Sequence, residues 1–306
     1  MAGAAALPHS PPTGDPIAAQ GFSFWHDFWR RFRRNRAALL GAAVLIVLFA
    51  SAALAPVLAP RDPASLLLAD RLKPPGYVSP TLHVTYSLGT DGTGRDMLSR
   101  LLYGGRISMT IGFLTAFLSL SIGVVVGATA GYHGGMLDNI LMRFVDFMLT
   151  IPRLPLVLIV LVLFGNSFFL LLLVLGLTSW MGVARLVRGE FLSLRERDFV
   201  EAARSQGALD RRIIYKHILP NAMAPLIVNA TFQVANAILL EAVLSFLGLG
   251  VQPPTATWGN MLLNAQSELS FAWWTSVFRG LLISTAVLSF NLVGDGLRDA
   301  LDPRLK

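Results

Sequence analysis

The sequence contains no cysteine, so neither disulfide bonds nor thiol chemistry can contribute to this protein. Charged residues are scarce as well, because they make up 14% of the 306 residues against roughly 25% in soluble domains. The five histidines are scattered along the chain and lack the spacing of metal ligands. These deficits exclude a disulfide-stapled domain, give no support to a metal site and argue against an ordinary soluble fold.

Hydrophobic residues are abundant instead, since they make up 54% of the chain, and the mean hydropathy is +0.60. The net charge is +7, which in a soluble protein would suggest nucleic acid as a partner. Here, however, the basic residues crowd the ends of apolar runs, where they set membrane topology and attract anionic lipid. We therefore predict an all-α integral membrane protein that contacts membrane lipid and no nucleic acid.

Residues 1–36 are predicted to form a cytoplasmic N-terminal tail. Residues 1–20 are rich in Ala, Pro and Gly without apolar periodicity, which is typical of a mobile tail. Phe24, Phe28 and Phe32 recur at every fourth position, which predicts an amphipathic helix along the membrane surface. Five arginines between positions 30 and 36 place this end inside. A signal peptide is the competing interpretation, but the following apolar run exceeds the roughly 7–15 residues of such a segment.

Residues 37–306 are predicted to form one membrane domain, because several apolar runs approach the about 20 residues that a helix needs to cross a bilayer. Six spans are predicted, at residues 37–59, 107–131, 137–163, 168–187, 222–246 and 277–293. Alternation across the membrane places the segment 61–106 outside and the loop 188–221 inside, with both termini cytoplasmic. From residue 185 to residue 221 the chain carries eight basic and five acidic residues, as expected of a cytoplasmic loop.

The glycine-rich residues 89–96 mimic a phosphate-binding loop. In such a loop backbone amides cradle phosphate, while a lysine and a hydroxyl contact phosphate and magnesium. Arg95 and Asp96 stand where Lys and Ser or Thr are needed, and an apolar span follows. We therefore reject this site and predict that the chain does not hydrolyse ATP itself.

Two features of the spans bear on helix packing. Small residues recur at four-residue intervals in the second span, at Ser119, Gly123, Gly127 and Gly131. Such a stripe lets another helix approach closely in lipid, where association depends on packing, although it does not identify the partner helix. In the third span, Pro152 and Pro155 predict a kink.

Polar residues within the spans are candidates for lining a translocation pathway, because such groups are costly in hydrocarbon unless they are paired or hydrated. These candidates are Arg153, Asn229, Gln233, Asn236 and Glu241. Arg153 either pairs with an acid or snorkels, or it faces the pathway. The three amides share one face of the fifth span and either bond to other helices or line the pathway. Glu241 is open to both interpretations.

The loop 188–221 has the pattern of two short helices. Residues 201–204 are good helix formers, Gly207 interrupts the run, Asp210 allows a restart, and Pro220 ends it. A glycine at the interruption permits a left-handed backbone turn that other residues resist.

These residues also carry a family resemblance. Glu201-Ala202-Ala203, the later Gly207 and His217-Ile218-Leu219-Pro220-Asn221 resemble the cytoplasmic "EAA" loop of importer-type ABC transporter permeases. Residues 87–106, 244–254 and 294–306 are similar to permease subunits of dipeptide, oligopeptide and nickel importers. The resemblance covers residues 37–306 and implies a type I ABC importer permease fold in the bacterial cytoplasmic membrane.

In that family a coupling helix sits in a cleft of the ATPase subunit and transmits its movement. Carried over to this sequence, the core of the contact comprises Glu201, Ala202, Ala203 and Gly207. The return into the fifth span involves His217, Leu219, Pro220 and Asn221. The resemblance also implies a second permease subunit, two ATP-binding subunits and a soluble substrate-binding protein as partners. ATP and magnesium belong to the ATP-binding subunits, so this chain is expected to bind no cofactor and to be no enzyme.

No motif identifies the substrate. Di- or oligopeptides are expected, and nickel or another small solute of the same family is the alternative. An ion-coupled secondary transporter would need repeated halves and a coupling carboxylate, and the sequence shows no clear repeat and only Glu241 at depth. An intramembrane hydrolase would need a histidine inside the predicted spans, which contain none.

Overall fold

A computed structural model of the chain describes residues 24–263 and 265–301. Its secondary structure is almost entirely helical, as predicted. Five helices are long and apolar enough to cross a membrane, and a bent pair of shorter helices supplies a sixth span. The predicted tail of residues 1–20 and the end of the chain at residues 302–306 lie outside the described residues.

The helices are numbered in chain order. The first part of the chain forms α1 (Phe24–Arg34), α2 (Arg36–Ala53) and α3 (Ala55–Leu58). The middle part forms α4 (Met97–His133), α5 (Gly135–Thr150), α6 (Arg153–Phe164), α7 (Phe168–Leu177) and α8 (Trp180–Arg195). The last part forms α9 (Asp198–Ser205), α10 (Asp210–Arg212), α11 (Leu219–Phe246), α12 (Ala265–Glu268) and α13 (Trp273–Leu301).

Between α3 and α4 the chain forms a small folded segment. It contains two short antiparallel strands, β1 (Tyr77–Val78) and β2 (Thr85–Tyr86), with Tyr77 opposite Tyr86. Helix α4 already begins at Met97, inside the predicted external segment 61–106. The Asp96 carboxylate caps this helix by accepting the Ser99 amide at 2.8 Å, so the helix starts well before the apolar run.

The small-residue stripe of α4 packs against α8, which is the partner helix that the sequence did not identify. A Cβ atom at Gly123 would lie 2.5 Å from the Cβ of Val183, and one at Gly127 would lie 2.4 Å from the carbonyl oxygen of Ala184. Any larger residue at these positions would therefore push the two helices apart.

Two predicted spans are interrupted: the third is a bent pair of helices, whereas the fourth, Phe168–Arg195, is one helical stretch with a two-residue interruption. The third span bends by 77° between α5 and α6, at Pro152, as the prolines predicted. The fourth span breaks between α7 and α8, at Thr178 and Ser179, which the sequence did not predict. Helix α8 then continues to Arg195, so the first residues of the predicted loop 188–221 are helical.

The prediction that Pro220 ends the second helix of the charged loop is wrong. The chain stays helical over Asp210–Phe246, with a π-helical stretch at Ile213–Ile218 and Pro220 in the first turn of α11. Proline lacks the amide donor that a continuous helix uses, and Pro220 stands where the chain changes from the π-helical stretch to α11, so the regular ladder of hydrogen bonds is already altered at this point.

Helix α1 packs on the end of α13. Phe32 is buried in a small cluster with Ala38 and Ala300, and a Cβ atom at Gly296 would lie 2.2 Å from the Cβ of Ala38. The predicted amphipathic segment is thus a helix, but its Phe32 faces protein rather than the membrane surface.

Candidate coupling site and polar residues of the membrane domain

The residues expected to couple to an ATPase lie on a helix that is presented to solvent. Glu201 and Ala202 are exposed on α9, whereas Ala203 is partly buried. Val200 anchors the other side of α9, because it is fully buried in an apolar cluster that also includes Phe191 of α8. Helix α9 therefore offers small and acidic side chains on a surface whose position is fixed from behind.

Gly207 interrupts the loop, as the sequence predicted. Its backbone has a φ of +78°, which residues with a side chain rarely adopt. A Cβ atom at this position would meet no neighbour within 4 Å. The requirement for glycine thus comes from the backbone turn and not from lack of space.

The loop is tied to the end of α4. The Tyr132 hydroxyl donates a hydrogen bond to the Asp210 carboxylate at 2.5 Å, and Arg195 donates to the Tyr132 carbonyl oxygen at 3.1 Å. Beside these contacts lies a polar cavity of about 750 Å³, and Glu201 is part of its lining. Residues of α4, α9 and α10 meet at this place, so the loop is part of the helix bundle.

His217, Leu219, Pro220 and Asn221 lie at the junction with α11, apart from α9. His217 and Leu219 are partly buried, and Pro220 and Asn221 are exposed. The Asn221 amide donates to the His217 carbonyl oxygen at 2.6 Å, one turn earlier. These residues shape the helical junction.

Two arginines that the sequence analysis counted as loop cations pair with acids of α5. Arg188 donates to both carboxylate oxygens of Asp138, at 2.5 and 2.7 Å. Arg185 contacts Asp146 at 2.5 Å. The sequence did contain a signal for these pairs. The two segments are antiparallel, so the arginine deeper in its span, Arg185, is expected opposite the acid deeper in its span, Asp146.

Arg153 and Gln233 converge on the break between α7 and α8. Arg153 donates to the Ser179 hydroxyl and, at 3.3 Å, to the Leu175 carbonyl oxygen. Gln233 donates to the Ser179 carbonyl oxygen at 3.2 Å and to the Ser119 hydroxyl at 3.2 Å. Together these side chains satisfy backbone groups that a broken helix leaves free. We call Arg153, Ser179, Gln233 and Ser119 the break cluster.

The other polar candidates lie elsewhere. Asn236 is exposed, and the side-chain oxygen of Asn229 is buried without a hydrogen-bond partner among the described residues. Glu241 is fully buried and accepts hydrogen bonds from three hydroxyls. Sequence reasoning missed the hydroxyl partners, although a Thr-Ser pair at 178–179 in an apolar run was a signal for the break.

The loop that mimics a phosphate site is filled by its own carboxylate. Asp91 accepts hydrogen bonds from the amides of Thr93 at 2.8 Å and Arg95 at 3.0 Å, and it pairs with Arg95 and Arg100. Burial acts to raise the pKa of the Asp91 carboxyl, but the charges of Arg100 and Arg95 and these hydrogen bonds hold that pKa below its usual value. The donors that phosphate would need are thus already used. In the part of the chain that is described, no group of three His, Asp or Glu side chains is arranged to hold a metal ion.

Comparison with known proteins places the chain among transport proteins. Residues 123–306 match the family described as binding-protein-dependent transport system inner membrane component, and residues 23–75 match the N-terminal transmembrane domain of oligopeptide transport permease C. The dipeptide transport system permease protein DppC of Haemophilus influenzae is 42% identical over 92% of this chain and 95% of its own length. The di/tripeptide transport system permease protein DppC of Pseudomonas aeruginosa is 40% identical over 97% of this chain and 98% of its own length.

A solved structure shares the fold. The inward-facing methionine ABC transporter MetNI contains a chain that is 21% identical, with a TM-score of 0.55 over 67% of this chain and 98% of that chain. The helix bundle is thus that of a type I ABC importer permease.

Fold and comparisons together define a membrane-spanning permease subunit of an ABC transporter. The chain belongs to the family of binding-protein-dependent transport system inner membrane components. The predicted family, fold class, permease role and multi-pass location in the inner membrane are confirmed.

Proposed function

We propose that this chain is a permease subunit through which an ABC importer moves di- or oligopeptides into the cell. Relatives named for dipeptide, di/tripeptide and oligopeptide transport support the substrate class, because they match this chain over nearly its whole length. A second permease subunit completes the pathway, and a soluble binding protein delivers the peptide.

The observation that carries the mechanism is the exposure of α9 on a buried anchor. When two separate ATP-binding subunits close around ATP and magnesium, they push on α9. The Tyr132–Asp210 contact passes this push to α4, and the continuous helix Asp210–Phe246 passes it to the fifth span. In this proposal the chain binds no cofactor and breaks no covalent bond.

Within the contact, Ala202 and Ala203 allow close approach of the ATPase, and Glu201 pairs with a basic residue of that subunit. Leu209 and Tyr215 extend the surface, since they are 78% and 62% exposed although they are large and apolar. The junction residues described above then carry the movement into α11.

For the pathway, the proposal separates the polar candidates by their surroundings. Asn236 faces it, because Asn236 is exposed. Asn229 is assigned to the same side because it lies two turns earlier on the same face of α11, although its side-chain oxygen is buried. Arg153 and Gln233 support the break between α7 and α8 instead.

Two substitutions test the coupling site, Glu201→Lys and Gly207→Asp. We expect each to lower both ATPase association and uptake of a radiolabelled alanyl dipeptide, by about tenfold or more if the site is central to the interface. The charge control is Ser193→Lys, at an exposed position of α8. Normal stimulation of ATP hydrolysis by peptide-loaded binding protein in Glu201→Lys and Gly207→Asp would refute the assignment.

A further inference from the structure

Glu241 connects three parts of the protein through hydroxyl groups. The Ser245 hydroxyl, one turn further along α11, donates to its Oε1 at 2.7 Å. The Thr257 hydroxyl, in the loop after α11, donates to the same oxygen at 2.8 Å. The Ser108 hydroxyl of α4 donates to Oε2 at 3.3 Å. The Glu241 carboxyl group is fully buried, and burying such a group inside a membrane protein costs free energy, so its presence calls for an explanation.

The loop at residues 247–263, which we call the Trp258 loop, is bound to this network from its own side. The Trp258 amide donates to the Ser108 hydroxyl at 3.1 Å, and its indole N–H donates to the Leu101 carbonyl oxygen at 3.0 Å. The Asn260 amide donates to the Thr257 hydroxyl at 2.9 Å. Both hydroxyls therefore already accept a backbone N–H, which directs their own protons at the carboxyl group.

The same contact is one of three polar links that the described residues form between α4 and the helix Asp210–Phe246, which contains α11. Along that helix the links are Ser108–Glu241 at 3.3 Å, Ser119–Gln233 at 3.2 Å and Tyr132–Asp210 at 2.5 Å. The last of these lies in the coupling loop, and the first lies at the opposite end of the span. Two antiparallel helices joined at both ends and in between form a stiff pair, because every link resists sliding and splaying.

We propose that Glu241 is a positioning residue that fixes the Trp258 loop to the α4–α11 pair, so that this loop moves as one body with the coupling loop. The proposal rests on the proposed function, which assigns a push to α9. It explains why a buried carboxyl group lies where three separate segments meet. It also means that a push on α9 moves the Trp258 loop at the other end of the helix pair, and the tip of this loop, Gln252 to Thr255, is exposed.

Positioning predicts that the hydrogen bonds matter and the negative charge does not. Glutamine at position 241 can still accept the protons of Ser245 and Thr257 with its oxygen. Its amide can donate to Ser108, whose oxygen has a second lone pair free. Glu241→Gln should therefore keep the loop in place, whereas Glu241→Leu should release it.

The absence of cysteine permits a direct test with a spin label at Thr255→Cys. In the full chain in lipid nanodiscs, we expect the same label mobility in the parent and in Glu241→Gln, and a higher mobility in Glu241→Leu. The matched control is Thr115→Val, which removes a buried α4 hydroxyl that has no hydrogen-bond partner among the described residues. A label in Glu241→Leu that is no more mobile than in the parent, or an equal rise in mobility in Glu241→Gln, would overturn the proposal.

A second label at Ser205→Cys, on the exposed end of α9, tests whether the Trp258 loop and the coupling loop move as one body. In the transporter assembled with its ATPase, the distance between the two labels should stay the same with and without ATP for the parent and Glu241→Gln. In Glu241→Leu the distance distribution should broaden, with dipeptide uptake about tenfold lower. A distance in the parent that shifts with ATP would overturn the proposal.

If Glu241→Leu does not fold, Thr257→Val removes the link from the loop side and should mobilise the label in the same way. The nanodisc measurement needs neither ATPase nor peptide. Lack of dipeptide uptake by the parent would thus count against the proposed function alone, whereas a label mobility unchanged from the parent in both Glu241→Leu and Thr257→Val would count against the role of Glu241.

Discussion

Gln233 shows how much one amide can hold together inside the membrane. It bonds to Ser119 of α4 and to the Ser179 carbonyl oxygen at the break before α8. Gln233→Leu leaves that carbonyl oxygen without this donor, and hydrogen bonds of this kind in membrane proteins are worth about 0.6 kcal/mol and at most ~1.7 kcal/mol. We expect slower dipeptide uptake with normal assembly of the complex, measured by transport assay and copurification.

A graded comparison strengthens this test. Ser119→Ala removes one of the two bonds of Gln233 and should give a smaller loss of uptake than Gln233→Leu. Uptake rates equal to those of the parent in both variants would show that the break cluster has no part in transport.

Asp91 makes the segment before α4 sensitive to acid. Because its pKa is held below the usual value, its stabilising effect is fully present above about pH 4 and is lost as the pH falls through the lowered pKa. We expect the thermal unfolding midpoint of the purified protein to drop between pH 7 and pH 3. Asp91→Asn should lower the midpoint at pH 7 and make it less dependent on pH. Equal pH dependence in the two proteins would contradict this account.

At the scale of helices, the packing of α4 on α8 gives a sharp prediction. Gly127→Ala adds a Cβ atom that would lie 2.4 Å from the Ala184 carbonyl oxygen, so the helices must separate, at a cost of about 1–3 kcal/mol. We expect a lower unfolding midpoint in detergent. Gly189→Ala in α8 is the matched control, because a Cβ atom there meets nothing within 4 Å. A midpoint in Gly127→Ala as high as in Gly189→Ala would contradict the packing.

The same helices show where sequence reasoning succeeds and where it stops. The bend at Pro152 could be predicted, because proline acts through its own ring and missing amide. The break at Ser179 was missed, because the Thr178-Ser179 pair is a weaker signal than a proline and the side chains that support the break, Arg153 and Gln233, are distant in sequence. Pro220 was misjudged for the related reason that the helix around it begins earlier, at Asp210.

For the whole molecule, residue types showed which positions need an explanation, and the fold supplied the partners. The apolar runs were enough to predict a multi-pass helical bundle. The coupling residues could be selected only through the resemblance to a family, since Glu-Ala-Ala by itself is an ordinary helical sequence. The role of Glu241 could not be read from the sequence, because Ser108 and Thr257 are common residues whose meeting depends on the tertiary fold.

The orientation in the membrane is the prediction on which the coupling mechanism depends. Five arginines at positions 30–36 and the basic loop around α9 predict that Ala202 lies in the cytosol and that Thr255 lies on the outer side. A membrane-impermeant maleimide should label Thr255→Cys in intact spheroplasts and Ala202→Cys only after permeabilisation. The cysteine-free parent should remain unlabelled in both conditions. Labelling of Ala202→Cys in intact spheroplasts would place α9 on the side without ATP, and no ATPase could then drive this protein through it.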